Sequence, residues 1–305
     1  MVKISVMSEL STEQSDPRYS QIDRLPTREI AELMNQADAA VPLAVAAVLP
    51  GISDAIDAIA ARMAQGGRLL YVGAGTSGRL AVLDASECPP TFGTDPSLVQ
   101  GVIAGGPDAL TRSVEGAEDD SAAGAAAIAG LGVGDLDSVV GISASGRAPF
   151  VLGALGESAG RGALTVGVSC NAGAPLSAAA EHGIEVVVGP EVVTGSTRLK
   201  AGTAQKLVLN MISTISMIRL GRTYGNKMIE MSAMNSKLAG RAVRMVADIT
   251  GTAPDAARAA LEASDGQAKV AVVMLRHGLD APAARARLEA HGERLGDALE
   301  QVSGA

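Results

Sequence analysis

Two hydroxyl-rich segments of the sequence contain residue types that suit a phosphate group. Each follows a short apolar run and precedes a helical pattern: the first is GAGTSGR at 73–79 and the second is SASGR at 143–147. Hydroxyl groups beside free backbone N–H groups at a helix N-terminus can bind a compact phosphomonoester dianion. Ser and Gly are also common caps of strand–helix turns, but two such segments together favour phosphate binding. The candidate binding residues are Thr76, Ser77, Gly78, Ser143, Ser145 and Gly146.

The first segment also contains the pattern G-x-G-x-x-G, which is typical of dinucleotide-binding turns. Such a site needs a long helix after the glycines and an acidic residue about 20 residues later, at the end of the next strand. The stretch PSLVQGVIAGG at 96–106 contains no Asp or Glu, and Pro89-Pro90 predict a helix of only two or three turns after Gly78. We therefore expect no nucleotide cofactor.

Two glutamates are candidates for acid–base chemistry. Glu87 is followed directly by Cys88-Pro89-Pro90, and because prolines fix φ and remove N–H donors, we expect a stiff, irregular segment there. An acid on such a segment is a catalytic candidate, although a surface carboxylate that ends a short helix fits the same pattern. Glu118 belongs to the acidic cluster EGAEDD at 115–120, within a stretch that is predicted to be helical. This cluster could be a solvated face, and its spacing does not say which acid would face a pocket.

The potential metal ligands are scattered along the chain. The three histidines and two cysteines show none of the spacings that are typical of metal sites, so the sequence predicts no metal. Two isolated cysteines also predict no disulfide framework and fit a reducing compartment. These residues are His182, His277, His291, Cys88 and Cys170.

The elements around these residues follow an alternating pattern. Short, β-branched apolar runs alternate with helical stretches, which predicts an α/β fold, namely a three-layer doubly wound parallel sheet of five strands. Ligands of such a sheet bind at the carboxyl ends of the strands. We expect an N-terminal arm and helices over 1–66, the sheet domain over 67–249 and a small helical module over 250–305. The predicted strands are 68–73, 98–105, 137–143, 163–170 and 184–189.

One predicted helix, at about 198–221, is too apolar for a solvated surface. Its sequence KLVLNMISTISMIRLG predicts burial against the sheet or against a second subunit, and the second possibility predicts a homodimer.

Composition and charge exclude several classes of function. The chain of 305 residues has a formal net charge of −8 and no basic block, so nucleic acid is not an expected partner. No apolar run reaches the about 18 residues that predict a membrane span. The polar N-terminal sequence lacks the apolar core of a signal peptide. We therefore expect a cytoplasmic protein without a membrane partner.

Four long segments of the sequence resemble a known family. GAGTSGRLAVLDASECPPTFG, SVEGAEDDS, GISASGRAPFV and GPEVVTGSTRLKAGTAQKLVLNMIST resemble the N-acetylmuramic acid 6-phosphate etherases, bacterial cytoplasmic enzymes of the sugar isomerase (SIS) fold. The likeness covers almost the whole chain, including a small UBA-like helical tail. It implies cleavage of the C3 D-lactyl ether by syn-type elimination and water addition in cell-wall sugar recycling. The products would be N-acetylglucosamine 6-phosphate and D-lactate, formed with two carboxyl groups and without a metal or redox cofactor.

The resemblance also implies roles for individual residues. Glu87 would be the proton donor and Glu118 the base, although the residues themselves leave open which carboxyl is the acid. Thr76, Ser77, Ser143 and Ser145 would hold the 6-phosphate, while Gly78 and Gly146 would allow the backbone to approach it. Asn235 and Lys237, in the segment AMNSKLAGR, would reach the substrate, including across a dimer interface.

Two other functions fit the same fold. A sugar-phosphate-sensing regulatory protein, similar to the longer glucokinase regulatory proteins with their two SIS units, would use the same loops without turnover. An aldose–ketose isomerase would abstract the same C2 proton but expel no group. The presence of both Glu87 and Glu118 in a single SIS unit favours an enzyme, and DASECPP favours the etherases over the isomerases.

Overall fold

The computed structural model describes residues 10–230 and 236–300, with the backbone alone at 236–238. The chain forms two compact units, Met1–Ser86 with Pro96–Ser216, and Glu87–Asp95 with Met217–Ala305. The predicted domain boundaries after residues 66 and 249 stay predictions.

The first unit is built on a parallel sheet of five strands, as predicted, and the strand order is β2-β1-β3-β4-β5. Every residue of β1, β3 and β4 is buried, because strands of a parallel sheet are covered on both faces. Their Val, Ile and Leu residues meet this requirement. The strands are β1 (Leu69–Gly73), β2 (Val99–Ile103), β3 (Ser138–Ile142), β4 (Leu164–Ser169) and β5 (His182–Glu185).

The last strand differs from its predicted range of 184–189. It starts two residues earlier and ends at Glu185, which pairs with Ser169 at the end of β4. Val186 still donates its N–H to the Ser169 carbonyl at 2.8 Å, and because β4 ends at Ser169 the ladder stops there.

Helices cover both faces of the sheet because side chains of one strand alternate between the faces. Leu70 and Val72 pack into one cluster with Ile128, Val151 and other helical residues. Tyr71 points to the opposite face, where its hydroxyl lies 3.5 Å from the carbonyl oxygen of Leu209. The helices of this part of the chain are α1 (Thr27–Asp38), α2 (Val41–Ala46), α3 (Leu49–Met63), α4 (Gly75–Phe92), α5 (Ser121–Gly130), α6 (Pro149–Gly160), α7 (Pro175–Ala179) and α8 (Lys200–Arg219).

Helix α4 corrects the prediction of a short helix and a stiff, irregular segment before the two prolines. It runs from Gly75 to Phe92 with Pro89 and Pro90 inside it. Each proline removes one intrahelical donor, and because both lie near the C-terminal end, only the final turns of the helix are weakened. The N–H group of Gly93 still donates to the Pro89 carbonyl at 2.9 Å, so the helix continues past them.

The apolar face of α8 is buried mostly inside this chain. Val208, Leu209 and Ile212 have no exposed surface, which matches the predicted burial against the sheet. Ile215 remains 37% exposed.

The second unit has its own helical core. The buried side chains Val246, Ala257, Ala271 and Leu288 contribute to one apolar cluster. At its edge the buried Lys269 forms an ion pair with Glu230. The helices are α9 (Ser236–Thr250), α10 (Pro254–Ala263), α11 (Ala268–His277), α12 (Ala281–Ala290) and α13 (Leu295–Leu299).

In the described ranges, no single helix combines the length and apolar content needed to cross a membrane. One bent pair, Thr27–Ala46 with Leu49–Met63, reaches that length and composition jointly.

Candidate functional site

The strand order creates a crevice between β1 and β3. Strand β1 pairs with β2 on one side and with β3 on the other, so the chain reverses its direction of winding at this point. Crevices at such a switch point, outside the carboxyl ends of the strands, are the usual ligand sites of open parallel sheets. Both hydroxyl-rich segments follow these two strands directly. A cavity of about 320 Å³ lies there, lined by Thr76, Ser77, Ser143, Ser145, Glu118, Glu13 and Thr197 together with Ala74, Gly75, Ile142, Ala144 and Ala148.

The first loop opens directly into a helix. Since α4 begins at Gly75, Thr76 and Ser77 stand in its first turn, where backbone N–H groups lack intrahelical acceptors and the helix dipole favours an anion. The buried Ser77 hydroxyl lies 2.9 Å from Oε1 of Gln205 on α8.

Gly78 is not part of the described lining of the cavity. A Cβ atom at this position would lie 2.7 Å from the Gly73 carbonyl oxygen and 2.5 Å from Cγ1 of Ile103. Gly78 therefore allows the start of α4 to pack against the ends of β1 and β2.

In the second loop, backbone N–H groups donate to the hydroxyl oxygens of the loop's own serines. The N–H group of Gly146 donates to Ser143 Oγ at 3.1 Å, and that of Arg147 donates to Ser145 Oγ at 3.2 Å. The two hydroxyl oxygens are 3.3 Å apart. Each oxygen thus accepts a backbone N–H group, and because one hydroxyl donates to the other, one of the two hydrogens is left for a ligand. Gly146, which is outside the described lining, has a φ of 67° that favours glycine.

Glu118 lines the cavity, but it does not lie on the predicted helix. It belongs to a 3₁₀ turn, Ala117–Asp119, which corrects the prediction that the acidic cluster is helical. The residues on either side of the turn explain why no longer helix forms here. Gly116 has a φ of 72°, and the Asp120 side chain caps the start of α5 by accepting the Ala123 N–H at 2.9 Å. Partial desolvation, followed by the charge of Asp119, raises the pKa of Glu118 above its usual range.

Glu13 is a second carboxylate in the cavity lining, and the sequence analysis missed it. Its 3₁₀ turn is anchored by Asn171, whose Nδ2 donates to Thr12 Oγ1 and whose Oδ1 accepts from Ser11 Oγ, both at 2.9 Å. Asn171 Nδ2 also donates to the Ala144 carbonyl in the second loop at 2.9 Å. The contacts of Asn171 with Ser11 and Thr12 join positions about 160 residues apart, so no local sequence pattern signals them.

The charge of the cavity is unusual for a phosphate site. Its described lining contains two carboxylates and neither Lys nor Arg. The guanidinium group of Arg79, near the end of the first loop, donates hydrogen bonds to the carbonyl oxygens of Leu110 and Arg112, at 3.0 and 3.1 Å. An anion in this cavity would therefore be bound by hydroxyl and N–H groups that carry no formal charge.

Comparisons with known proteins agree over nearly the whole chain. It is 60% identical to the N-acetylmuramic acid 6-phosphate etherase of Streptomyces avermitilis over 290 residues, which cover 95% of this chain and 93% of the relative. The Streptomyces coelicolor etherase is 56% identical over 98% of this chain and 96% of its own. The chain belongs to the N-acetylmuramic acid 6-phosphate etherase family. Membership of this family indicates an enzyme.

Two further comparisons concern the fold. Residues 51–159 match the model of the glucokinase regulatory protein N-terminal SIS domain. A phosphoheptose isomerase from Francisella tularensis superposes with a TM-score of 0.52 at 21% identity, over 64% of this chain and 100% of that chain. Both support the SIS-type parallel sheet.

The described lining of this cavity does not include three further predicted site residues. Glu87 is exposed on α4, belongs to the second unit and is not in the described lining. Asn235 falls outside the described residues, and only the backbone of Lys237, in the first turn of α9, is described. Their predicted roles rest on the resemblance to the etherases.

No group of three or more His, Cys, Asp and Glu side chains suits a metal ion anywhere in the part of the chain that the structure describes. Both cysteines are buried, and neither forms a disulfide among the described residues.

Proposed function

We propose that this chain is an N-acetylmuramic acid 6-phosphate etherase, a carbon–oxygen lyase. The proposal rests chiefly on one cavity at the switch point between β1 and β3. Four hydroxyl groups from two loops line this cavity together with Glu118. The membership of an etherase family supplies the substrate. The N-acetylated sugar 6-phosphate would lie with its phosphate at the loops and its C2–C3 bond towards the carboxylates.

Binding of the phosphate would depend on well-placed hydrogen-bond donors, since the described lining carries no cationic side chain. The first turn of α4 offers N–H groups and Thr76, and the second loop offers Ser143 and Ser145. Hydrogen bonds to an ionised group are about twice as strong as those between neutral groups, so several convergent donors can hold a dianion.

The reaction begins with the open-chain aldehyde form of the sugar. Glu118 takes the C2 proton, which the neighbouring C1 aldehyde acidifies. The electron pair forms a C2–C3 double bond in a syn-type elimination as the C3–O bond breaks, and the lactate oxygen takes a proton from Glu87. Water then adds to C3 and a proton returns to C2, which gives N-acetylglucosamine 6-phosphate and D-lactate. The raised pKa of Glu118 strengthens it as a base near neutral pH.

The regulatory alternative receives less support. The match to the regulatory protein's domain covers only residues 51–159, whereas the etherase relatives match 95% or more of the chain. Binding of a sugar phosphate without release of lactate would restore that alternative.

The main experiment measures D-lactate release from N-acetylmuramic acid 6-phosphate by the wild type, Glu118→Gln and Glu87→Gln. Loss of a general acid or base lowers the rate by about 10²- to 10⁴-fold, and we expect losses of that size in both variants. Glu115→Gln is the matched control, because Glu115 is exposed like Glu118 and belongs to the same acidic cluster but is outside the described lining. Circular dichroism checks that the variants fold.

Hydrogen exchange at C2 in deuterated water assigns the two roles. We expect Glu118→Gln to lose exchange together with lactate release. Glu87→Gln should lose lactate release but keep exchange, because an acid is not needed for abstraction of the proton. The reverse pattern would exchange the roles of the two residues.

We also propose a cytoplasmic homodimer that acts in cell-wall sugar recycling. Leu83 on α4 and Ile215 on α8 are 53% and 37% exposed, and such apolar side chains could lie in a subunit interface. The two buried cysteines, which form no disulfide among the described residues, fit a reducing compartment. Light scattering at micromolar concentration tests the dimer, and a monomeric mass would contradict it.

A further inference from the structure

Glu13 is a carboxylate of the cavity to which the proposed reaction gives no role. It is half-buried, and it lines the cavity together with Glu118 and the hydroxyl groups of the two loops. Its backbone N–H group closes the 3₁₀ turn by donating to the Leu10 carbonyl at 3.0 Å. Its carboxyl group forms no hydrogen bond or ion pair with any other described residue.

Other carboxylates of the same unit are already used by the fold. Glu191 accepts two backbone N–H groups at the start of α8, both at 3.0 Å. Glu185 accepts the N–H groups of Gly173 and Ala174, both at 2.9 Å. Glu13 differs from these residues, because the described fold leaves its acceptor sites unused and they remain for a ligand in the cavity.

The turn that carries Glu13 is fixed relative to the second loop. Leu10 and Thr12, on the same segment, are 6% and 0% exposed. The buried Asn171 amide donates to Thr12 Oγ1 and also to the Ala144 carbonyl of the second loop, both at 2.9 Å. A side chain on an anchored turn loses little freedom when it binds a ligand, so its hydrogen bonds contribute more to affinity.

A third segment lies beside the carboxylate. Gly195 has a φ of 75°, and a Cβ atom at this position would lie 3.5 Å from Oε2 of Glu13, in ordinary van der Waals contact. Thr197, two residues later, is part of the cavity lining. The Glu13 carboxylate therefore lies against the described protein on one side and lines the cavity on another.

The chemistry of a carboxylate decides which part of the substrate it can bind. It only accepts hydrogen bonds, and its charge repels a phosphate dianion. It therefore suits the sugar, whose hydroxyl groups are donors. The C4 hydroxyl group lies between the 6-phosphate and the reacting C2–C3 bond, and both the ring form and the open-chain form of the sugar retain it. Hydrogen bonds from hydroxyl groups to a carboxylate are short and strong.

We propose that Glu13 is a specificity-determining residue that accepts a hydrogen bond from the C4 hydroxyl group of the sugar 6-phosphate. The inference rests on the proposed function in assuming that such a sugar binds in this cavity. The hydroxyl groups of the two loops hold the phosphate, Glu118 takes the C2 proton, and Glu13 selects the configuration at C4.

The first test compares two ligands by the sign of the effect. Glu13→Gln keeps the size of the side chain and removes its charge. We expect the Kd for N-acetylglucosamine 6-phosphate, measured by calorimetry, to rise about 5- to 20-fold, since a hydrogen bond to a charged group is weakened. The Kd for inorganic phosphate, measured by phosphorus NMR, should instead fall about 2- to 5-fold, because a repelling charge is removed.

The second test changes the hydroxyl group instead of the carboxylate. N-acetylgalactosamine 6-phosphate differs from the first ligand only in the configuration at C4, so its hydroxyl group points to the other face of the ring. We expect the wild type to bind it about 10- to 100-fold more weakly. In Glu13→Gln this preference should shrink to less than about threefold, since both changes remove the same hydrogen bond.

Two control variants locate the ligands and the effect. Ser143→Ala should weaken binding of both N-acetylglucosamine 6-phosphate and inorganic phosphate, which would place both ligands at the loops. Gln14→Ala, at an exposed position next to Glu13 and outside the described lining, should weaken neither. Circular dichroism checks that each variant folds.

Three results would overturn the proposal. Equal weakening of both ligands in Glu13→Gln would mean that the substitution disturbs the turn and, through Asn171, the second loop. An unchanged preference between the two sugar epimers would exclude the C4 hydroxyl group as the partner. A fall in kcat of about 10²-fold or more with an unchanged Kd would make Glu13 an acid or base of the reaction. A chain that binds the sugar phosphate but releases no lactate would contradict the proposed function and leave these binding tests intact.

Discussion

The two phosphate loops are similar in sequence and differ in how they are built. GTSGR and SASGR both follow a central strand, but the first leads straight into α4 at Gly75, whereas α6 starts only at Pro149. In the second loop, N–H groups of the loop itself bind the serine hydroxyls. In the first, the Ser77 hydroxyl meets a glutamine on α8, 128 positions away.

The difference shows two ways of orienting a hydroxyl group. A loop with a residue in the left-handed region can fold its own N–H groups back onto its side chains, at the cost of requiring glycine. A helix that starts at once directs its free N–H groups outward, so its serine needs a partner from another element. The first loop therefore depends on tertiary structure, and the second depends on its local backbone.

The largest expected effect concerns the glycine of the second loop. Gly146→Ala would force a side chain into a φ of 67° and place its Cβ 2.5 Å from that of Ala174. We expect a loss of about 2–4 kcal/mol in the free energy of unfolding, measured with urea. Gly75→Ala, at a φ of 53° with nothing within 4 Å of the added atom, is the matched control in the first loop. It should cost about 1 kcal/mol, and equal losses would remove this contrast.

The next effect sharpens the comparison in terms of ligand binding. Ser77→Ala and Ser143→Ala each remove one donor to the phosphate, and we expect each to raise the Kd for N-acetylglucosamine 6-phosphate about tenfold. In Gln205→Met, Ser143→Ala should keep its full effect, whereas that of Ser77→Ala should change, because the Gln205 side chain accepts a hydrogen bond from Ser77. Calorimetry on the three single and two double variants measures this, and an equal change in both effects would mean that α8 orients both loops.

A smaller effect concerns Glu118, which lines the same cavity as the two loops. Because Asp119 contributes to the raised pKa of Glu118, Asp119→Asn should lower that pKa. A base works only when deprotonated, so the acidic limb of the kcat/KM profile should move to lower pH. Affinity for the phosphate should stay unchanged, since neither loop is altered. A profile that does not move would argue against Glu118 as the titrating base.

The sequence predicted the loops and the carboxylate of this site better than the distant residues that hold the loops in place. Alternating apolar runs indicated the parallel sheet, and the loops that follow β1 and β3 did come together with Glu118. The residues that hold them, Gln205 and Asn171, are ordinary polar residues whose partners lie 27 to 160 positions away, and no local period encodes such pairs. Helix α4 was predicted too short because two adjacent prolines were expected to end it, whereas they weaken only its final turns and the helix continues to Phe92.

The smallest expected effect tests what the two loops have in common. Neither brings a cationic side chain into the described lining of the cavity, so the phosphate would be bound by hydroxyl and N–H dipoles at short range. Salt screens separated full charges far more than hydrogen bonds in direct contact. We therefore expect the Kd for N-acetylglucosamine 6-phosphate to change less than about threefold between 50 and 300 mM NaCl. A tenfold loss would mean that a Lys or Arg outside this lining reaches the phosphate, and the two loops would then be only part of the binding site.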